Sequence, residues 1–138
     1  MKAVLDTSVV MASGIPSLDG ELGISAATLA ELHFGVLIAR DLATKAERLR
    51  RLSIVQQRFD ALAVDEAVTT SYGQLAAAVA VAGAVAGAGA GAAAGRQPRA
   101  RVMDLLIAAT AHAHSARLYT RNAADLAGAE GLLEIVPV

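Results

Sequence analysis

The stretch Lys2–Val10, KAVLDTSVV, decides the fold of this 138-residue chain. Lys2–Leu5 is a short, mostly apolar run that ends at Asp6, and the hydroxyl residues Thr7 and Ser8 follow. An apolar run that is closed by polar turn residues is typical of a buried parallel strand leading into a helix. The stretch therefore predicts a strand over Lys2–Leu5, with Asp6 at its carboxyl end.

The rest of the chain alternates short apolar runs with segments of helical spacing. Further strands are predicted at Leu22–Ile24, Ala61–Val64, Arg117–Thr120 and Leu133–Val136. Helices are predicted at Ala26–Ala39 with Ser25 as its cap, at Asp41–Phe59, from the cap Asp65 to about Ala82, at Val102–Ser115 and at Ala123–Gly128. This alternation predicts an α/β fold, a three-layer sandwich with a central parallel sheet of about five strands. Residues 1–138 suit a single domain.

The segment Gly83–Gly95 is almost entirely alanine and glycine. Because each glycine costs about 1 kcal/mol in a helix interior, a frayed or mobile connection is predicted there. The same composition argues against a membrane span over Leu75–Gly95, since alanine and glycine contribute little insertion energy. Asp6 interrupts the N-terminal apolar run too early for a secretory leader, so we expect a cytoplasmic protein.

Composition and charge exclude several classes of function. The net charge is −1 and the isoelectric point is near 6.3, so nucleic acid must be bound by a local patch. Aromatic residues make up 3% of the chain, which argues against a protein that stacks bases on aromatic rings. Cysteine is absent, which excludes disulfides, thiolate zinc sites and cysteine nucleophiles.

Acidic residues follow strands or begin helices at places that the predicted sheet would bring to one edge. They are Asp6, Glu31, Asp104 and Asp125. Ligands bind at the carboxyl ends of parallel strands, so we expect these carboxylates to converge there. Two unit charges 4 Å apart cost about 4 kcal/mol at an effective dielectric of 20, and a shared proton or a divalent cation relieves that repulsion. Oxygen ligands without His or Cys favour Mg²⁺ or Mn²⁺.

Each acid also has a structural explanation. Asp104 falls in the first turn of its predicted helix, where a negative charge is favourable, and Asp125 fits a cap or a solvated acid. Glu31 fits a surface residue. Asp6 has the weakest structural explanation, because it interrupts an apolar strand end.

The histidines are predicted to be surface or half-buried residues and not metal ligands. His112 and His114 are two residues apart on a helix and face different directions. His112 lies about 12 Å along the helix from Asp104, at 1.5 Å per residue. The same reading applies to His33.

Four segments in combination resemble the PIN-domain family, and more closely the bacterial toxin ribonucleases of the VapC type. They are LDTSVV at 5–10, SAATLAEL at 25–32, MDLLIAATA at 103–111 and LYTRNAADL at 118–126. The segments stand in the order of the family and cover nearly the whole chain. The resemblance implies that Asp6, Glu31 and Asp104 are acidic site residues that bind the metal.

The fourth acidic position of the family falls at Asn122 in this chain, with Asp125 nearby. The resemblance therefore adds both residues to the catalytic candidates, with Thr120 and Thr7 in supporting roles. An amide in place of a carboxylate removes one charge, so a single Mg²⁺ is expected, with Mn²⁺ as the alternative. Arginines close to these segments are candidate RNA contacts: Arg99, Arg101 and Arg121.

The resemblance implies a toxin endoribonuclease that hydrolyses RNA phosphodiester bonds with a metal ion. It also implies a homodimer and a cognate VapB-like antitoxin. Two alternatives remain open: a non-catalytic PIN-like domain that binds protein, and a phosphotransfer or receiver-like domain with Asp6 as nucleophile. Against the second, Asp6 is followed by Thr7, Ser8 and Val9, without a second Asp two residues on.

Overall fold

The computed structural model describes residues 1–14, 16–85 and 98–138. Its strands are β1 (Lys2–Leu5), β2 (Glu21–Ser25), β3 (Ala61–Leu62), β4 (Arg117–Thr120) and β5 (Ile135–Pro137). Its helices are α1 (Thr7–Val10), α2 (Ala26–Leu37), α3 (Leu42–Arg58), α4 (Glu66–Val85) and α5 (Pro98–Ala113), and a 3₁₀ turn covers Ala123–Leu126.

All described strands pair in parallel in one sheet, in the order β3-β2-β1-β4-β5. β1 is the central strand, and its residue Ala3 pairs with Leu22 of β2 and Arg117 of β4. The chain adds strands on one side of β1 and then returns to its other side, so the order reverses between β1 and β4. In parallel sheets such a reversal opens a crevice beyond the carboxyl ends of the strands.

Helices cover both faces of the sheet, as the predicted three-layer sandwich requires. Successive residues of β1 point to opposite faces, with Ala3 and Leu5 on one and Val4 on the other. The aliphatic face, under α1, α2 and α3, buries Ala3, Leu5, Val9, Ile24, Leu32, Val36, Leu52, Val55 and Tyr119. The alanine face, under α4 and α5, includes Val68, Leu75, Val79, Ile107, Ala108, Ala109 and Ala111.

Polar residues begin the helices as the sequence predicts. Ser25 has extended backbone angles, and its hydroxyl oxygen accepts the Ala27 N–H at 3.1 Å at the start of α2. Asp65 Oδ1 accepts the Val68 N–H at 3.1 Å at the start of α4. Both predicted caps are confirmed, and the cap on α2 fixes where that helix leaves the sheet.

The predicted ends of several elements are wrong. α5 begins at Pro98 and not at Val102, because proline suits the first position of a helix. β5 covers Ile135–Pro137, so it begins and ends later in the chain than the predicted Leu133–Val136. Leu133 lies before the strand and is buried in the core. The third strand and the last short helix are also shorter than predicted.

The prediction of a frayed or mobile connection is also wrong for residues 83–85, because α4 continues through them to Val85. Alanine favours helix strongly enough to accommodate Gly83 inside the last turns. The remainder of that prediction, residues 86–95, lies outside the described residues.

Among the described residues, α4 is the one helix that is long and apolar enough to cross a membrane by length and composition, with a mean hydropathy of 1.3. It packs along α5, and Val68, Leu75 and Val79 on it are buried in the core. Only 22% of its apolar window is buried inside the domain, so one face of the helix packs against α5.

Candidate active site

Asp6 lies directly after the central strand, at the carboxyl edge of the sheet. Only 5% of its surface is exposed. Its backbone N–H donates to the carbonyl oxygen of Tyr119 at 2.9 Å, which continues the pairing with β4. Its own carbonyl oxygen accepts the Val10 N–H at 3.1 Å and so begins α1. The change from strand to helix at this residue places its carboxylate at the edge of the sheet.

Three groups donate hydrogen bonds to the Asp6 carboxylate. The Thr7 N–H reaches Oδ1 at 2.9 Å, and the hydroxyls of Ser8 and Thr120 each reach Oδ2 at 2.8 Å. An ionised carboxylate accepts only, so all three contacts suit it. The donors come from α1 on one side and from β4 on the other, and together they fix the orientation of the carboxylate.

The same hydroxyls also bind the turn that follows β4. Thr120 Oγ1 accepts the Asn122 N–H at 3.0 Å, and Ser8 Oγ accepts the Arg121 N–H at 3.2 Å. Thr120 thus contacts Asp6 as the supporting residue that the sequence predicts. Ser8 is a contact that sequence reasoning missed, although a hydroxyl two residues after a strand-end Asp is a usable signal.

Glu31 is brought to Asp6 through Thr7. The Thr7 hydroxyl donates to Glu31 Oε1 at 2.7 Å, while the Thr7 backbone N–H donates to Asp6. Thr28, which is fully buried on α2, places its hydroxyl oxygen 3.1 Å from that of Thr7. One residue therefore links two of the predicted acids, and the predicted supporting role of Thr7 has a geometric basis.

Asp104 lies toward the N-terminus of α5, the end of this helix on the carboxyl side of the sheet. The hydroxyls of Thr110 and Ser25 are 2.9 Å apart where β2 ends. Asp104 precedes Thr110 by six residues, or about 9 Å along the helix. Since α5 begins at Pro98, Asp104 lies in its second turn. A charge there gains little from the helix dipole, so the first-turn explanation of Asp104 does not hold.

The remaining predicted residues border this edge or lie outside the described part. Asn122 is half-buried directly after β4, and Asp125 is exposed in the 3₁₀ turn with its N–H on the Asn122 carbonyl oxygen at 3.0 Å. Arg121 is exposed and Arg101 is half-buried. Arg99 has its backbone in α5, but its side chain is outside the described part of the chain.

The histidines lie where the sequence predicts. His33 is exposed and His114 is half-buried. His112 is also half-buried, and its Nδ1 lies 2.7 Å from the Ser71 hydroxyl oxygen of α4. The prediction of surface or half-buried histidines is confirmed.

The donor atoms at this edge of the sheet determine which metal ion fits. Carboxylate oxygens are the ligands that Mg²⁺ and Mn²⁺ prefer. Across residues 1–14, 16–85 and 98–138, no three His, Asp or Glu side chains are close enough together to hold an ion. Mg²⁺ is usually bound by one or two carboxylates, with water and substrate phosphate completing its shell. The site fits that mode of binding and not a closed protein cage.

Comparisons with known proteins cover almost all of this chain. The model of the PIN domain family matches residues 3–127. Ribonuclease VapC4 of Mycobacterium tuberculosis is 32% identical over 127 residues, which are 88% of this chain and 86% of that protein.

Solved structures give the same result for the fold. The VapBC-5 toxin–antitoxin structure from Mycobacterium tuberculosis matches with a TM-score of 0.75 and 30% identity, over 99% of this chain and 98% of that one. FitAcB from Neisseria gonorrhoeae matches with a TM-score of 0.68 and 24% identity, over 96% and 95% of the two chains. VapBC2 from Rickettsia felis, bound to a promoter DNA fragment, matches with a TM-score of 0.67 and 22% identity, over 99% and 98%.

Proposed function

Because the chain belongs to the PIN domain family, and within it to the VapC-type ribonucleases, we propose that it is the toxin of a type II toxin–antitoxin system. Its activity is the hydrolysis of RNA phosphodiester bonds with a divalent cation. The observation that carries this proposal is the junction of α1, α2 and β4, where Thr7 links the carboxylates of Asp6 and Glu31 beside the central strand.

The metal would be held by Asp6 and Asp104, with Glu31 completing its shell or positioning its waters; Mg²⁺ is the expected ion and Mn²⁺ the alternative. A bound ion supplies Lewis-acid stabilisation of the phosphate and a water of lowered pKa. The hydroxyls of Ser8 and Thr120 keep the Asp6 carboxylate in one orientation. A ligand that is oriented before binding loses less freedom when the ion arrives.

The residues after β4 complete the proposed site. Asn122 donates its N–H to the Thr120 hydroxyl oxygen, and Asp125 is exposed in the turn that follows. Both would position water or the substrate. RNA is polyanionic while the chain carries a net charge of −1. Local cations must therefore hold the RNA backbone. The proposed contacts are Arg99, Arg101 and Arg121.

A protein partner is the second part of the proposal. The relatives of known structure include toxin–antitoxin complexes, and we propose a VapB-like antitoxin that covers the acidic site of this chain. A groove of about 480 Å³ between α1 and α3 offers an apolar floor with Val9, Val10 and Phe59, and a basic rim with Arg50 and Arg51. A homodimer and a cytoplasmic location are proposed on the same grounds.

The decisive experiment measures RNA cleavage by the purified chain with Mg²⁺. Asp6→Asn and Asp104→Asn should each reduce cleavage to the background and abolish growth arrest, because each removes a metal ligand. Asp60→Asn is the matched control, since this exposed acid precedes β3 at the opposite edge of the sheet. Undiminished cleavage in both site variants would overturn the proposed site.

A non-catalytic protein-binding domain is the second candidate function. The observation in its favour is that no three acidic or histidine side chains of the described residues come together as a metal site. A titration of the free protein with Mn²⁺ separates the two, because a purely protein-binding domain takes up no ion. Membership of the PIN family leaves no support for the aspartyl-phosphate alternative.

A further inference from the structure

We infer that Thr28 is a positioning residue of the active site, which acts through the Thr7 hydroxyl to hold Glu31 beside Asp6. The inference rests on the proposed function, because it assigns a role in the same site. Thr28 lies one helical turn before Glu31 on α2, and its hydroxyl contacts Thr7.

The Thr7 hydroxyl is the donor in two contacts on α2. Thr7 Oγ1 lies 2.7 Å from Glu31 Oε1 and 3.1 Å from Thr28 Oγ1. A hydroxyl has one proton to donate, and an ionised carboxylate has none. The stronger bond of the Thr7 hydroxyl is to Glu31, because that acceptor is charged. The Thr28 hydroxyl oxygen is the second acceptor of the same Thr7 hydroxyl.

Burial makes this chain of hydroxyls sensitive to a single loss. Thr28 has 0% of its surface exposed, so water cannot replace its hydroxyl. Thr28 and Glu31 are both on α2, and both contact Thr7, the first residue of α1. The two helices are thus joined at two points on one side chain. Without the Thr28 hydroxyl, Thr7 loses the second contact that fixes the position of its own hydroxyl between α1 and α2.

Thr7 transmits the effect to Asp6 as well. Its backbone N–H donates to Asp6 Oδ1 at 2.9 Å, so a rotation or shift at Thr7 changes the separation of the two carboxylates. The role of Thr28 is therefore geometric: it sets how Glu31 and Asp6 face the same ion or water, without contact to substrate.

The test measures Mn²⁺ affinity by calorimetry and RNA cleavage on the full chain. Thr28→Val keeps the shape and removes the hydroxyl, and it should weaken Mn²⁺ binding about tenfold or more. It should lower kcat with little change in KM. Thr28→Ser keeps the hydroxyl and should restore both quantities. Because Thr28 acts through Thr7, the double variant Thr7→Val/Thr28→Val should bind Mn²⁺ no more weakly than Thr7→Val alone.

Ser71→Ala is the matched control, since it also removes a buried hydroxyl that bridges two elements, but between α4 and α5. It should leave Mn²⁺ affinity unchanged. Thermal denaturation checks that each variant is folded. If Thr28→Val is not folded, Thr28→Ala replaces it in the single and double variants.

The two proposals fail in different ways. A wild-type chain that neither binds Mn²⁺ nor cleaves RNA overturns the proposed function. A wild-type chain that does both, with Thr28→Val or its substitute equally active, overturns the positioning role alone. Additive losses in the double variant, or an equal loss in Ser71→Ala, also overturn it.

Discussion

Two buried polar regions of this molecule are built in different ways. Around Asp6, donors from α1 and β4 meet on one carboxylate, and several of them have a second partner. Between α4 and α5, a single contact joins Ser71 to His112 and is surrounded by apolar core residues. The first region is a network in which each hydroxyl orients the next, whereas the second is a contact between a buried serine and a half-buried histidine on two packed helices. Function should therefore depend on hydrogen bonds in the first region, and stability on volume in the second.

Among replacements of residues other than the acids, the largest loss of RNA cleavage is expected at Thr120. Thr120→Val removes the hydroxyl that donates to Asp6 and accepts from Asn122. We expect RNA cleavage to fall about ten- to hundredfold, and unfolding free energy to fall by about 1–3 kcal/mol because buried polar groups lose their partner. Cleavage assays and urea denaturation measure the two effects. Thr120→Ser is the control and should retain most of both, so an equal loss in Thr120→Ser would contradict the role of the hydroxyl.

Overpacking the alanine face should affect stability alone. Ala108 is fully buried on α5, and Ala108→Leu inserts volume that the interface between α4 and α5 cannot accommodate. We expect a loss of about 1–3 kcal/mol in unfolding free energy, measured by urea denaturation, with unchanged cleavage per folded molecule at low temperature. Ala43→Leu, at an exposed position of α3, should be close to neutral. A selective loss of cleavage in Ala108→Leu would show that the two regions are coupled.

A smaller effect is expected from the isolated polar contact. Ser71→Ala removes the hydroxyl partner of His112 Nδ1, and His112 is only half-buried, so water can take over part of the contact. We expect a loss of about 1 kcal/mol in unfolding free energy and no change in RNA cleavage. A loss of cleavage comparable to that of Thr120→Val would remove the distinction between the two regions.

The smallest effect lies outside both regions, at the start of α3. The backbone N–H and the hydroxyl of Thr44 donate to Asp41 and hold the pKa of its carboxyl below its ordinary value. A lowered pKa in the folded state stabilises the fold above the ordinary pKa, and this contribution is lost as the pH falls through the folded value. The advantage in Tm of wild type over Asp41→Ala should therefore be present at neutral pH and decrease in acid. The Asp41→Asn side chain can still cap α3 but does not titrate. The advantage in Tm of Asp41→Asn over Asp41→Ala should therefore persist in acid.

Much of the fold is predictable from the sequence, because burial leaves a periodic pattern. The apolar runs of β1 and β4 and the spacing of α2 are visible without any structure. The ends of elements are less visible, since they depend on tertiary contacts. Pro98 follows an alanine- and glycine-rich run and resembles the end of a loop, yet it is the first residue of α5. The order of the strands is also absent from the pattern, because periodicity reports which face is buried and not which strand is the neighbour.

The site is predictable where a residue contradicts its surroundings. Asp6 interrupts an apolar strand, so its importance is visible in the sequence. Thr28 and Ser8 do not stand out, because hydroxyl residues are common in and beside helices. Their partners lie on other elements, and only the packing of α1 against α2 and β4 determines them. The sequence alone therefore does not predict which hydroxyls lie within hydrogen-bond distance of each other.

The central position of β1 has a consequence for the synthesis of the protein. Asp6 is synthesised well before Thr120, which donates to its carboxylate and lies 114 positions later. Its strand also needs β4 as a neighbour. At about 5–20 residues per second, synthesis of the 114 residues that separate Thr120 from Asp6 takes roughly 6–23 s. The acidic edge of the sheet is therefore complete only after β4 has been synthesised and has paired with β1.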